Sequence, residues 1–519
     1  MKFISTPFCS SWAPRFNVRR AFLPLLLSAL FSFYACTDHR EVPQPQTLPD
    51  RLFYVLNDAN QLMQVNLRNT NSPVSTVALT GLQSGEKMLS IDFRPATGQL
   101  YGVGSTSRLY VINPMNGAAR ALGGGAFSPA LNGEVVGFDF NPTVDRIRLV
   151  TSNGQNLRLN PETGGVVATD GDINGVPGVA LAGSAYTNNV AGATTTVLYN
   201  LDPNTDQLYR QDPPNAGTQV PVGSLQLNIT AVGGFDIDAV DGTAIASVTF
   251  EGKSELQRID LGTGRAQKLG NLPGTIVGLA IPVPFVYYVV DNTNALTIYS
   301  GTSVSTKSIT GLQSGETVLG IDFRPVNGQL YALGSTSRLY TINTSNGAAT
   351  VVGGAPFATP LAGTDFGFDF NPTVDRIRVI SNTGQNLRLH PETGALVMAD
   401  GNLNGAATNG TATAYTNNFA GATATTMYVI NHETGRLYRQ DPPNNGTLID
   451  IGPLNVAGGF EAGNGFDIGG MSNTAYAVLR SGGTSRVYTV DVTTGAASPV
   501  NAAGTPPGTM RGFAVGLGF

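Results

Sequence analysis

Two segments carry oxygen-bearing side chains at alternate positions, which is the spacing that calcium loops use. Residues 170–175 read DGDING, and residues 400–405 read DGNLNG. Such oxygens can converge on one hard cation where a glycine permits a sharp bend. The sequence therefore predicts calcium as the candidate cofactor. Its predicted ligands are the side chains of Asp170, Asp172, Asn174, Asp400, Asn402 and Asn404.

The calcium interpretation of these segments has a competitor. The twelfth loop position, where a calcium loop places a bidentate glutamate, is Leu181 in the first segment and Thr411 in the second. Aspartate and asparagine also hydrogen bond to their own backbone, so an ordinary turn accounts for the same residues. Both interpretations stay open at the level of the sequence.

A second set of acidic residues recurs in strand-like segments, each followed by phenylalanine or isoleucine. Side chains alternate between the two faces of a strand, so these aspartates point away from their apolar neighbours. We expect each carboxylate to accept hydrogen bonds from backbone amides of an adjacent sheet. Binding of a cation or polar ligand is the alternative. The set comprises Asp92, Asp139, Asp236, Asp322, Asp369 and Asp467.

Six arginines recur in the same way, three in each half of the chain. We expect a structural network of ion pairs, with the binding of an anionic ligand as the alternative. They are Arg146, Arg148, Arg158, Arg376, Arg378 and Arg388.

The sequence assigns no catalytic residue. The three histidines, His39, His390 and His432, have no histidine counterpart in the other half, so a histidine-based metal site or triad in each copy is excluded. Neither a nucleophile elbow in a strand-to-helix context nor a phosphate-binding loop is present. Enzymatic activity is therefore left uncertain, and a non-enzymatic role is favoured.

These residues belong to an internal duplication. GFDFNPTVDRIR at 137–148 recurs unchanged at 367–378, and GSTSRLY at 104–110 recurs at 334–340, both with an offset of 230. Repeats of this kind place the two copies at residues 51–282 and 283–519.

Each copy is itself periodic, with strand-like runs separated by turns that begin with Asn or Asp and end on Gly. NPMNG at 113–117 and NPETG at 160–164 are examples. Asn or Asp initiates such a turn, and Gly adopts the left-handed backbone conformation that returns the chain to the sheet. We count five units of about 40–60 residues per copy, the size of propeller blades. The sequence predicts an all-β fold of two tandem β-propellers with about five blades each, and one ten-bladed ring is the alternative.

Several motifs resemble a known bacterial family. IDFRP at 91–95, FNPTVDRIR at 140–148 and GQNLRL at 154–159 are similar to the family of domain of unknown function 4394. The resemblance covers residues 81–237 and 311–468. It implies exported or envelope-associated proteins and brings no established activity or catalytic residue.

The N-terminal segment has the pattern of a lipoprotein signal peptide. Arginines precede a 15-residue apolar run that ends at Ala35, directly before Cys36. We expect cleavage of residues 1–35, lipid attachment to Cys36, and a flexible tether over residues 36–50. A simple secretory signal is the alternative. Thr37 after the cysteine favours sorting to the outer membrane.

Cleavage would remove four basic residues and no acidic one, which changes the formal net charge from −5 to −9. An acidic chain without a basic run offers no surface for nucleic acid. The sequence thus favours a lipid-anchored envelope protein that binds a protein, a glycan or a small polar ligand, or serves as a scaffold. A calcium-assisted hydrolase or lyase acting at a propeller mouth is the alternative.

Overall fold

The computed structural model describes residues 48–500, 504–506 and 508–519. The predicted signal peptide, Cys36 and nearly all of the tether lie outside these residues. The prediction of an all-β fold is confirmed, because the described residues form 41 strands and two 3-10 helices of three residues each. No helix within these ranges has the length and hydropathy needed to cross a membrane.

The first half of the described chain contains twenty strands and one of the short helices, Pro214–Ala216. The strands are β1 (Leu52–Asn57), β2 (Gln61–Asn66), β3 (Ser75–Ala78), β4 (Met88–Phe93), β5 (Leu100–Gly104), β6 (Arg108–Ile112), β7 (Ala119–Ala121), β8 (Val136–Asn141), β9 (Arg146–Thr151), β10 (Asn156–Leu159), β11 (Val166–Thr169), β12 (Gly183–Tyr186), β13 (Leu198–Asp202), β14 (Gln207–Gln211), β15 (Gln219–Ser224), β16 (Ala231–Ile237), β17 (Ala244–Phe250), β18 (Lys253–Ile259), β19 (Ala266–Asn271) and β20 (Ile276–Ala280).

The second half contains the remaining strands and the other short helix, Pro443–Asn445. The strands are β21 (Val286–Asp291), β22 (Ala295–Ser300), β23 (Ser303–Ser308), β24 (Val318–Arg324), β25 (Gln329–Gly334), β26 (Arg338–Ile342), β27 (Ala349–Val352), β28 (Phe366–Asn371), β29 (Arg376–Ser381), β30 (Asn386–Leu389), β31 (Leu396–Ala399), β32 (Asn404–Gly405), β33 (Ala412–Tyr415), β34 (Met427–Asn431), β35 (Arg436–Gln440), β36 (Thr447–Pro453), β37 (Gly465–Ile468), β38 (Ala475–Ser481), β39 (Thr484–Val490), β40 (Ala497–Pro499) and β41 (Met510–Val515).

These strands form ten sheets, five in each half. Nine sheets have four antiparallel strands, and the tenth adds the two-residue β32 in parallel to its edge strand β36. Eight sheets are built from consecutive strands. The first sheet of each half instead takes its edge strand from the end of that half, since β20 pairs with β1 and β41 pairs with β21.

One edge strand of every sheet contacts the corresponding strands of two neighbouring sheets, and we call these the inner strands. In the first half, β4 contacts β8, β8 contacts β12, β12 contacts β16, β16 contacts β20, and β20 contacts β4. In the second half, the same order runs through β24, β28, β33, β37 and β41, and β41 contacts β24.

The turns between strands follow the expected chemistry. The side chain of Asn113 accepts a hydrogen bond from the Met115 amide at 2.9 Å, and the backbone of Gly117 has φ +75°. A Cβ on Gly117 would lie 2.1 Å from the carbonyl oxygen of Ala78. A side chain is therefore blocked there both by the left-handed conformation and by the adjacent sheet.

The apolar core lies between adjacent sheets. In one cluster, Tyr101 and Leu109 of the β4–β7 sheet pack against Phe138, Leu149 and Leu157 of the β8–β11 sheet. All five side chains are buried. Each sheet therefore buries its faces against its neighbours and needs them for stability.

The two halves are in direct contact. The hydroxyl of Tyr288 donates to the carbonyl oxygen of Ala96 at 2.9 Å, and Nη1 of Arg94 donates to the carbonyl oxygen of Gly328 at 3.0 Å. The C-terminal segment joins this contact, because the Gly518 amide donates to the carbonyl oxygen of Thr97 at 2.8 Å.

Candidate functional site

Three aspartates from three inner strands meet in each half of the molecule. In each group, one carboxylate oxygen from every aspartate lies within 4.8 Å of the other two, and each aspartate is only 1% exposed. We call these groups the carboxylate triads. The first triad is Asp92 on β4, Asp139 on β8 and Asp236 on β16. The second triad is Asp322 on β24, Asp369 on β28 and Asp467 on β37.

The triad carboxylates join neighbouring inner strands. Asp92 accepts from the amide of Phe140 on β8 at 2.8 Å, and Asp139 accepts from the amide of Tyr186 on β12 at 3.1 Å. Asp236 accepts from the amide of Ile281, directly after β20, at 2.6 Å. The expectation of hydrogen bonds to backbone amides of an adjacent sheet is thereby confirmed. The second triad repeats these bonds.

One oxygen in each triad has no hydrogen-bond partner among the described residues. It is Oδ2 of Asp139 in the first triad and Oδ2 of Asp369 in the second. A buried carboxylate oxygen without a partner is costly, since it has lost its hydration and gained nothing in return. Because an oxygen without a partner occurs at equivalent positions in both halves, we expect the same structural reason for it in each triad.

Burial and mutual repulsion raise the pKa values of the triad carboxyl groups. Desolvation raises the pKa of Asp236 and of Asp467 to about 7, against opposing hydrogen bonds from backbone amides. For Asp139, desolvation is again the main cause, and the charges of Asp92 and Asp236 raise its pKa further. Three such groups at close range favour a bound proton or a bound cation over three free negative charges.

A small cavity in the second half is lined by sequence neighbours of the second triad but by none of its three aspartates. Its volume is about 20 Å³, and its lining includes Ile321, Phe368 and Phe466, each of which directly precedes a triad aspartate. This is room for one water molecule or one ion. Because the triad carboxylates are only 1% exposed, protons and small ions can interact with them, whereas an organic substrate has no access.

The predicted calcium segments have local partners. Both oxygens of Asp170 accept hydrogen bonds from Arg158, at 2.8 and 2.9 Å, and Oδ2 also accepts from Arg148 at 2.6 Å. The Asn174 side chain donates to the carbonyl oxygens of Asp172 and Ala216. A cation at Asp170 would have to displace two guanidinium groups.

The second segment has the same arrangement. Asp400 accepts from Arg378 and Arg388, and the Asn404 side chain donates to the carbonyl oxygen of Asn402. Calcium at either segment stays a prediction. The expected ion-pair network is confirmed for Arg148, Arg158, Arg378 and Arg388.

A larger cleft lies in the second half next to this ion-pair network. Its volume is about 410 Å³, and its lining includes three arginines and no aspartate or glutamate. We call it the arginine cleft. Residues Arg376, Arg378 and Arg388 supply the charge, and Tyr415 and Asn444 supply neighbouring polar groups.

The three arginines of the cleft have different partners. Arg378 is 2% exposed and is held by Asn386, Asp400 and Asn444. Arg388 uses Nε and Nη2 for Asp400. Arg376 donates only to backbone carbonyls among the described residues, including that of Asp375 at 2.8 Å. Its charge is therefore not neutralised by a paired carboxylate.

The family comparison covers most of the chain. A model of the family described as domain of unknown function (DUF4394) matches twice, at residues 61–280 and 296–514. The chain belongs to this family. The prediction of two tandem DUF4394 copies is confirmed.

Two solved structures from B. thetaiotaomicron also match this DUF4394 chain. They are the extracellular domain of a protein described as a one-component system and that of one described as a hybrid two-component system. Sequence identities are 12% and 11%, TM-scores are 0.24 and 0.25, and each match covers 87% of this chain. The chain spans 59% and 66% of those two chains, and at these TM-scores the matches support no statement about its fold or function. A search of curated proteins found no match.

Both DUF4394 copies keep the residues of the arginine cleft. Arg146, Arg158, Tyr186 and Asn215 occupy the positions of Arg376, Arg388, Tyr415 and Asn444. The sequence pattern indicates the arginines but not the tyrosine or the asparagine. The signal available for these two was their place in the repeated AYTNN and LYRQDPPN motifs.

Proposed function

We propose that this DUF4394 chain is a lipid-anchored binding module of the bacterial envelope, built from two five-bladed β-propellers. Its ligand is a small molecule or glycan that carries a carboxylate, sulfate or phosphate group, and this group binds in the arginine cleft. The carrying observation is that three arginines and no acidic residue line the cleft of an otherwise acidic protein.

The propeller part of the proposal rests on the order of strand contacts. Five inner strands contact one another in sequence in each half, and the fifth contacts the first. The pairing of β20 with β1 joins the end of the first half to its beginning, and β41 with β21 does the same for the second. Such pairing leaves only short protected edges, which favours two rings over one ring of ten sheets.

The ligand class follows from the charge and shape of the cleft. Arginine presents several N–H donors in a plane, which suits the oxygens of carboxylate, sulfate and phosphate groups. Arg376 keeps its charge unpaired, and the Nη1 edge of Arg388 has no partner among the described residues. A cleft of about 410 Å³ accommodates a small molecule or one or two sugar rings.

The experiment is a binding screen on the full chain purified in detergent. Acidic oligosaccharides, sulfate and phosphate are titrated by calorimetry, with neutral oligosaccharides of equal length as matched ligands. We expect binding of at least one acidic ligand and a loss of at least 10-fold in affinity in Arg376→Gln. Lys253→Gln, an exposed lysine outside the cleft, is the control. Equal binding of acidic and neutral ligands, or unchanged affinity in Arg376→Gln, would contradict the proposal.

Membrane anchoring needs its own experiment. Cys36→Ser should prevent labelling of the protein with a radioactive fatty acid. Equal labelling of Cys36→Ser and the parent would refute lipid anchoring through this residue.

Calcium binding by residues 170–175 and 400–405 is tested separately. If these segments bind calcium, Asp172→Ala should reduce a calcium-dependent rise in melting temperature. If Asp172→Ala shows the same calcium-dependent rise as the parent, calcium does not bind at residues 170–175, and the calcium-assisted hydrolase or lyase based on these segments loses its support.

A further inference from the structure

We propose that each carboxylate triad binds one hard divalent cation, with calcium as the cation whose size fits. The two sites are Asp92, Asp139 and Asp236 in the first half and Asp322, Asp369 and Asp467 in the second. They are distinct from the predicted calcium segments and from the arginine cleft.

The spacing of the oxygens supports this proposal. Calcium–oxygen distances are about 2.3–2.6 Å, so three oxygens around one ion in a plane lie about 4.0–4.5 Å apart. The triad oxygens lie within 4.8 Å of one another, which brings one ion within reach of all three. Oxygen-only ligands suit calcium or magnesium, whereas a thiolate- or imidazole-binding metal has no such ligand here.

The unpartnered oxygens give an independent reason for a ligand. Asp92 and Asp236 use both oxygens for backbone amides, whereas Asp139 leaves Oδ2 without a donor at 1% exposure. Asp369 does the same in the second triad. A cation would compensate this oxygen and the repulsion among three buried carboxylates. The backbone hydrogen bonds would meanwhile hold the other carboxylates in place, as is common for metal ligands.

The two halves differ in the residues next to the triads. A cavity of about 20 Å³ in the second half is lined by the residues that precede all three aspartates of the second triad, but not by the aspartates themselves. Arg511 also lines this cavity and donates to the carbonyl oxygen of Thr364 at 3.1 Å. The first half has Val277 at the position of Arg511 and Glu134 at that of Thr364. We therefore expect the first triad to bind calcium more tightly than the second.

The test uses the full chain stripped with chelator and titrated with calcium by calorimetry. We expect two calcium ions per chain, one in Asp139→Asn, and none in the double variant Asp139→Asn/Asp369→Asn. The matched control is Asp172→Ala/Asn402→Ala, which alters only exposed residues of the predicted calcium segments and should keep both ions. The result that would overturn the proposal is an unchanged stoichiometry in the double triad variant. Absence of binding by the parent up to about 10 mM, above the dissociation constants of weak extracellular calcium modules, would overturn it too.

A melting experiment at pH 8 separates ion binding from a purely structural role. Asn keeps the shape of Asp and removes a repelling charge, so Asp139→Asn should melt at or above the parent temperature in chelator. In excess calcium the order should reverse, because only the parent gains two ions. A variant that melts below the parent by the same amount in both solutions would contradict the proposal.

Discussion

The two halves of the molecule contain the same carboxylate triads but differ in the buried side chains of one sheet, β12–β15 in the first half and β33–β36 in the second. In the first half, the buried Asn200 side chain donates to Gln211 and Gln219 and accepts from Ser184. In the second half, Val429 and Leu448 occupy the positions of Asn200 and Gln219. A polar network in the first half and an apolar cluster in the second thus occupy equivalent positions in the fold.

The halves also differ where they meet. The Arg94 side chain pairs with Asp145. It is completely buried because the second half covers it, with the carbonyl oxygen of Gly328 as a hydrogen-bond acceptor. Its counterpart Arg324 makes the same pair with Asp375, but that aspartate is 26% exposed. Both halves therefore need this ion pair for their fold. The contact between the halves adds further burial of the pair in the first half.

The largest predicted effect separates these two ion pairs. Arg94→Ala leaves Asp145 buried and unpaired, and we expect it to lower the free energy of unfolding by about 3–5 kcal/mol. Arg324→Ala should lower the free energy of unfolding by only about 1–2 kcal/mol, since water can reach Asp375. Denaturant unfolding of both variants measures the difference. Equal losses in the free energy of unfolding would show that burial by the second half does not increase the contribution of Arg94 to stability.

The next prediction concerns a feature that the halves share. Burial raises the pKa of Asp170, but hydrogen bonds from Arg158 and Arg148 outweigh it and hold the pKa below the usual 3.8. Asp170→Asn should therefore cost about 3 kcal/mol at pH 7. Asp400→Asn removes the equivalent contacts with Arg378 and Arg388, so we expect a loss of about the same size. A lowered folded-state pKa adds stability that is present above pH 3.8 and is lost as the pH falls through the folded value. The deficit of Asp170→Asn in melting experiments should shrink below about pH 4, and a constant deficit would contradict this origin.

A smaller effect tests the exchange of a polar network for an apolar cluster. Asn200→Val alone leaves Gln211, Gln219 and Ser184 short of partners and should cost about 1–3 kcal/mol. The double variant Asn200→Val/Gln219→Leu copies the second half and should recover most of that loss. Additive losses in the double variant would mean that the two halves are not interchangeable here.

The smallest effect concerns the second triad. Arg511→Val copies the first half and removes a positive charge from the cavity lining, so we expect calcium affinity at the second triad to rise several-fold. Calorimetry of Asp139→Asn/Arg511→Val against Asp139→Asn isolates this site. Unchanged or weaker affinity would show that Arg511 does not oppose cation binding.

Much of the fold could be predicted from the sequence because its signals are local. The geometry of turns such as 113–117 can be predicted from their residue types, and the offset of 230 between repeated motifs reveals the duplication. The pairing of β1 with β20 depends on residues more than 200 positions apart, for which the sequence has no local signal. For this reason the six aspartates were recognised as a set, but their meeting in threes was not predicted.

The candidate sites show the same limit. The alternation of oxygen-bearing residues in 170–175 suggests a cation, but Arg148 and Arg158 reach Asp170 from 22 and 12 positions away. The arginines were expected to form ion pairs, and four of them do. Arg146 and Arg376 differ because, within the described residues, their hydrogen bonds go to backbone carbonyls and no carboxylate pairs with them, which no sequence pattern indicates.

The most direct test of the proposed function is the stoichiometry of an acidic ligand on the full chain. Both halves keep the cleft residues, so a calorimetric titration should give two ligands per chain for the parent, one for Arg146→Gln or Arg376→Gln, and none for the double variant. Retention of both ligands by the double variant would contradict binding at the arginine cleft.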